Sequence, residues 1–273
     1  MMKIKPAKKF ISIFLISGLV VINLSCQSRA EKLYRLGQEK IVQSQYLEAV
    51  DALEDSAKLE KNNNKWSKTN LEIAKTLQYQ IQDYNKAILV YRELILKSED
   101  SLIRLQSQKA VSEIYFDNIQ DYEAALKELQ ILEPLIEKSE AAEETKLKIA
   151  QSYKYLNQFK NSLEYIEASL KKNLKNPEAF LKLKAQVYNS LKKYDEALAL
   201  YEEISKKYPL YFKKESLIVA LSLVFEEKKD YKSAIEYLTK NKSQIEDQVF
   251  LELRLKRLFE KQKNMPFNHG IRK

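Results

Sequence analysis

An aromatic residue, a small residue three places on and a bulky apolar residue four places after that recur six times in this chain. The sets are Tyr46, Ala49 and Leu53; Tyr84, Ala87 and Tyr91; Tyr122, Ala125 and Leu129; Phe159, Ser162 and Ile166; Tyr194, Ala197 and Tyr201; Tyr231, Ala234 and Leu238. Successive aromatics lie 38, 38, 37, 35 and 37 residues apart. A period so nearly constant predicts a stacked repeat protein. Such arrays act through extended surfaces, which points to binding rather than catalysis.

Offsets of 0, 3 and 7 place the three residues on one face of a helix. The small residue lets a second helix approach closely. A first helix is predicted about ten residues before each aromatic, with its own apolar stripe: Leu33, Leu36 and Ile41 in the first repeat, Leu181, Val187 and Tyr188 in the fifth. Neither helix can bury its stripe alone, so neighbouring repeats must stack. Glycine usage agrees, because only Gly18, Gly37 and Gly270 occur, too few for a chain of strands and tight turns. Asn176-Pro177 reads as an N-cap before a proline at the first helical position. Pro209 marks a helix end, and Pro134 should end or kink the run before it. Trp66 is expected in the link between repeats one and two, packed between them.

The unit resembles the tetratricopeptide repeat, a helix–turn–helix of about 34 residues. The fifth repeat, Glu178 to Tyr211, fits best. Ala185 matches the small residue of the first helix, Tyr188 the aromatic beyond it, Tyr194 the start of the second helix, Ala197 its close-packing residue and Pro209 the terminator. Gly37 takes the small position in the first repeat, while Lys75, Glu113 and Ser222 fall there in others. The resemblance implies a right-handed, all-α solenoid of about six repeats, at roughly 30–63, 68–101, 106–139, 143–176, 178–211 and 215–248. Val249 to Lys263 reads as a capping helix over the last apolar face, and 264–273 as a basic tail.

Residues 1–25 do not belong to this pattern. Lys3, Lys5, Lys8 and Lys9 precede an apolar run from Phe10 to Leu24, and Cys26 follows at once. A basic start, a short apolar core and a cleavage point describe a secretory signal; the run is short of the ~20 residues a spanning helix needs. Leu24-Ser25-Cys26 resembles a bacterial lipobox, although Leu24 and Asn23 depart from its usual residues. That resemblance implies lipidation at Cys26, a short linker at 26–29 and, with Gln27 next, sorting to the outer membrane, facing the periplasm. Attachment by two or three acyl chains is stable.

The net charge is +9, yet residues 26–250 carry 36 basic and 36 acidic groups. The excess sits in the N-terminal lysines and in Arg254, Lys256, Arg257, Lys261, Lys263, Arg272 and Lys273 near the C-terminus. A neutral body argues against a nucleic-acid partner. There is no glycine-rich phosphate loop or nucleophile elbow. With His269 and Cys26 each the only one of its kind, no histidine triad, multi-histidine or cysteine metal site is available. The expectation is no enzyme, no cofactor, no metal and no small-molecule substrate.

In the family resembled, first helices line a concave groove that holds a partner segment. Carried over by repeat phase, the groove positions are Tyr34 and Gln38, then Thr76, Tyr79 and Gln80, then Asn118, Gln151, Tyr155, Gln186 and Asn189. Rings supply contact area and amides pair with an extended backbone. The carboxylate clamp of some co-chaperone members is not reproduced, since Gln186 follows Lys182 where an asparagine is expected. The function expected is a membrane-anchored adaptor of the bacterial envelope with a protein partner. Its design resembles the pilotin lipoproteins of type IV pili and the lipoprotein of the outer-membrane-barrel assembly machine. The alternative is a structural role in which the basic C-terminus contacts peptidoglycan or lipid.

Overall fold

Each of the six aromatics is the first residue of a helix. The computed structural model describes residues 28–137, 139 and 141–265, and the expected lipidation site Cys26, the signal segment and most of the tail lie outside them. Six pairs follow one another: α1 (Arg29–Val42) with α2 (Tyr46–Leu59), α3 (Asn63–Lys75) with α4 (Tyr84–Lys97), α5 (Ser101–Glu113) with α6 (Tyr122–Leu135), α7 (Ala141–Tyr155) with α8 (Phe159–Leu170), α9 (Pro177–Ser190) with α10 (Tyr194–Lys207), and, after the short α11 (Pro209–Lys214), α12 (Leu217–Glu227) with α13 (Tyr231–Lys240). The single helix α14 (Gln248–Lys263) closes the series. No strand occurs among the described residues, and the chain is an all-α solenoid.

The turns between paired helices share one backbone device. Ser44, Gln82, Gln120, Asn157, Lys192 and Lys229, each two residues before the aromatic, hold φ between 57° and 65°. None is glycine, so each bears the steric cost of a left-handed L-residue, on the order of 1 kcal/mol. In return the next amide closes the preceding helix: Gln45 N donates to Lys40 O at 2.9 Å, Gln158 N to Tyr153 O at 2.8 Å, Lys193 N to Tyr188 O at 2.8 Å and Asp230 N to Phe225 O at 2.9 Å. Asp83, Asp121 and Asp230 then cap the second helices with their carboxylates.

Two repeats depart from this scheme. α3 and α5 run on into π-helical turns at Thr76–Ile81 and Ile114–Ile119. A π turn holds one more residue than the α turn it replaces, and Asp83 N accordingly reaches back six residues, to Leu77 O, instead of five. The close-packing residue of the first helix moves with it. In the other repeats it stands nine before the aromatic, at Gly37, Ala150, Ala185 and Ser222; here it stands ten before, at Ala74 and Ser112, and all six are buried. Lys75 and Glu113, assigned to that position by phase, are therefore not in it, and Lys75 is exposed.

Opposite these residues lie Ala49, Ala87, Ala125, Ser162, Ala197 and Ala234, every one with no exposed surface. Ser162 keeps its hydroxyl satisfied by donating to Ala150 O at 2.8 Å. The bulky residues Leu53, Tyr91, Leu129, Ile166, Tyr201 and Leu238 are buried as well, whereas the aromatics that open the helices are partly exposed. Trp66 is not in a link: Asn62 caps α3 by accepting from Lys65 N at 3.0 Å, which puts Trp66 in the first turn, packed on the core of the first three repeats. Asn176 makes no side-chain cap. It donates its backbone N–H (3.1 Å) and side-chain amide (3.3 Å) to Glu143 of the preceding repeat. Pro134 sits in the last turn of α6, and Pro209, after α10 ends, opens α11.

Bonds between repeats span one period. Arg92 to Glu128, Lys148 to Asp117, Tyr165 to Glu133 and Lys182 to Glu215 join residues 31 to 36 apart. The array ends on α14, which buries Leu251 and Leu258 against the last repeat. Glu226 of α12 there accepts from Arg254 at 2.9 Å, Arg257 at 3.2 Å and Lys261 at 2.8 Å. Burial opposes ionisation of Glu226, but the Lys261 hydrogen bond and the three cations outweigh it and lower its pKa.

This packing has two measurable consequences. A Cβ on Gly37 would stand 2.5 Å from Leu53 Cγ and 3.2 Å from Ala49 O. Leu53 is fully buried and cannot swing away, so Gly37→Ala should cost about 1–3 kcal/mol, more than the roughly 0.5–1 kcal/mol that alanine gains in a helix; a urea midpoint equal to or above the parent's would refute the close crossing. Glu226→Gln should cost about 1.5–3 kcal/mol at neutral pH. A carboxylate with a depressed folded pKa stabilises above its unfolded pKa, about 4.3, and ceases to as pH falls through the folded value. The variant's deficit should therefore vanish in acid; a deficit independent of pH would show that packing, not charge, is lost.

Candidate partner-binding groove

First helices of successive repeats lie side by side, as α3 does with α5 and α7 with α9. In the solenoid their free faces form its inner surface. The π turns alter which residues reach it. Thr76, expected on this surface, is buried, because the extra residue rotates it inward. Lys75 takes the place that Gln38, Gln151 and Gln186 hold in other repeats. Nothing in a reading by fixed phase signals that shift.

The expected residues fall into three groups. At the N-terminal end Tyr34 is partly buried against the core of repeats one to three, and burial with the nearby Glu72 charge raises its pKa. Gln38 is partly exposed, with its amide nitrogen buried and unpartnered. Tyr79 is 59% exposed, and Gln80 beside it is exposed too. In the middle, Asn118 donates to the Tyr84 hydroxyl at 3.3 Å. Tyr155, 46% exposed, stacks on Tyr122 with ring centroids 4.3 Å apart, and Phe116 meets Tyr122 edge-on at 5.6 Å. Towards the C-terminal end, Gln151 is partly exposed, Gln186 accepts from Lys154 at 3.4 Å, and Asn189 donates to Glu227 at 2.7 Å.

Charged groups flank the aromatic cluster on both sides. Lys148 Nζ lies 5.4 Å from the Phe116 ring centroid and pairs with Asp117 at 2.8 Å and Glu144 at 3.3 Å. Burial disfavours its charge, but the Asp117 hydrogen bond and the surrounding carboxylates prevail and raise its pKa. Lys154 Nζ sits 5.0 Å from the Tyr155 ring centroid, and burial alone lowers its pKa. Phe116, Lys148 and Lys154 went unnoticed in the sequence, although Lys154 is next to Tyr155 and on the same helix turn as Gln151. Among the described residues no cluster of histidine, cysteine or carboxylates could hold a metal. No described helix is long and apolar enough to cross a membrane.

The inner surface therefore presents two exposed tyrosines, several amides and unevenly paired charges. The family model for the tetratricopeptide repeat matches residues 147–211, which span the fourth and fifth repeats. No curated protein matches the sequence. Among solved structures, a tetratricopeptide repeat protein from Parabacteroides merdae is 15% identical, with 88% of this chain and 94% of that one covered and a TM-score of 0.60. BtubC (BKLC) from P. vanneervenii is 14% identical over 89% of this chain and 95% of its own, TM-score 0.51. PilW, a widely conserved type IV pilus biogenesis factor, is 14% identical over 83% and 99%, TM-score 0.51. At such identities the likeness is one of fold: the chain is an all-α solenoid of the tetratricopeptide-repeat kind, with the repeat itself matched at residues 147–211.

Proposed function

We propose that the protein is an interaction scaffold that holds an extended segment of a protein partner along the inner faces of its first helices. The observation that carries this is the pair of exposed tyrosines, Tyr79 and Tyr155, standing among amides on one inner surface of a repeat fold. Rings on a rigid scaffold give contact area at low entropic cost. Cys26 places the scaffold at a membrane through a lipid, in the envelope and facing the periplasm, on the reading of the N-terminal residues. A structural role through the basic C-terminus is the weaker reading, because Arg254, Arg257 and Lys261 are engaged with Glu226. The chain acts by binding, not by catalysis.

Crosslinking followed by pull-down from membranes should recover one defined partner. Tyr79→Ala with Tyr155→Ala should weaken that capture by about 1–3 kcal/mol, as for interface aromatics, at unchanged helicity. Undiminished capture would move the contact off this surface, and recovery of murein fragments alone would favour the structural role. Cys26→Ala should shift the protein from the membrane to the soluble fraction; retention on membranes would remove the lipid anchor from the proposal.

A further inference from the structure

Most partly buried lysines on the first helices carry an acid. Lys148 pairs with Asp117, Lys182 with Glu215 at 2.7 Å and Lys184 with Glu167 at 2.9 Å. Lys154 does not. Its neighbours are the Gln186 amide oxygen at 3.4 Å and the face of Tyr155 at 5.0 Å. Neither an amide oxygen nor a ring replaces a counter-ion for a cation drawn partly out of water. The burial that lowers its pKa has no carboxylate to oppose it.

Lys154 and Tyr155 of α7 stand with Gln186 and Asn189 of α9 in a strip on the inner surface. Beyond Gln186, Asn189 donates to Glu227 of the next repeat at 2.7 Å.

We infer that the partner segment held on this strip is acidic, with one carboxylate taken by Lys154 beside Tyr155 and Gln186. The inference rests on the groove reading above and names the chemistry of its occupant. A carboxylate arriving at Lys154 meets a cation already partly desolvated and held by a ring, where a charge pair is worth more than at an open surface.

Fluorescence anisotropy on the full chain tests it. The probes are a fluorescein-labelled nine-residue peptide of three glutamate-tyrosine-serine units and its counterpart with glutamine for each glutamate. The acidic peptide should bind about tenfold tighter, with the difference shrinking as salt screens it. Lys154→Gln should abolish the difference, Lys154→Arg should keep it, and Lys160→Gln, which removes a charge from α8 away from the strip, should leave it unchanged. Equal binding of both peptides, failure of the acidic peptide to bind, or a preference untouched by Lys154→Gln overturns the inference. Should the neutral peptide bind as well as the acidic one and both lose affinity with Tyr155→Ala, the groove stands and only its preference for acid falls.

Discussion

The solenoid depends on a repeated close crossing of paired helices at small residues. Gly37 faces Ala49, and the buried Ala74, Ser112, Ala150, Ala185 and Ser222 recur in the first helices as Ala87, Ala125, Ser162, Ala197 and Ala234 do in the second. With no side chain to hold the backbones apart, the bulky residue one turn on, such as Leu53 or Tyr91, reaches the interface and is sealed. Dispersion across such a contact falls quickly with a gap of even half an ångström. The crossing therefore sets the angle within each pair, and repetition of one angle makes an array instead of a globule. The left-handed turns, six in number and none glycine, show that this packing outweighs a recurring backbone cost.

Among the described residues, side-chain bonds between repeats join neighbours, so the array is stabilised from one repeat to the next. The apolar interior divides into four clusters that run along the chain from end to end. Stability in such a system is a sum over neighbours, and its last member needs a substitute for the missing next repeat. α14 supplies that substitute in two ways, apolar at Leu251 and Leu258 and ionic at Glu226. The basic C-terminal residues are in part the consequence of capping with charge.

The helical class, the repeat number and the residues that open each second helix were legible because three residue types recur at a helical spacing and a constant period. The π turns were not. Thr76–Ile81 and Ile114–Ile119 carry no proline or glycine to announce them, and their trace is a period of 38 where the next is 37. That single residue misplaced Thr76 on the inner surface and Lys75 and Glu113 within the core. Tyr79 and Tyr155 could be picked out by phase, yet the stack of Tyr155 on Tyr122 joins two repeats and depends on how they settle together. Lys154 was invisible for a related reason: a lysine in sequence carries no sign of whether an acid will reach it.

The π turns also change which residues the inner surface presents. Each absorbs one more residue than the α turn it replaces, so in repeat two Lys75 stands where repeats four and five present Gln151 and Gln186. The Phe116, Tyr122 and Tyr155 cluster lies at the junction of repeats three and four. In the C-terminal half, hydrogen bonds link Lys154 to Gln186 and Asn189 to Glu227. Side chains held in this way lose less entropy if the proposed segment binds against them.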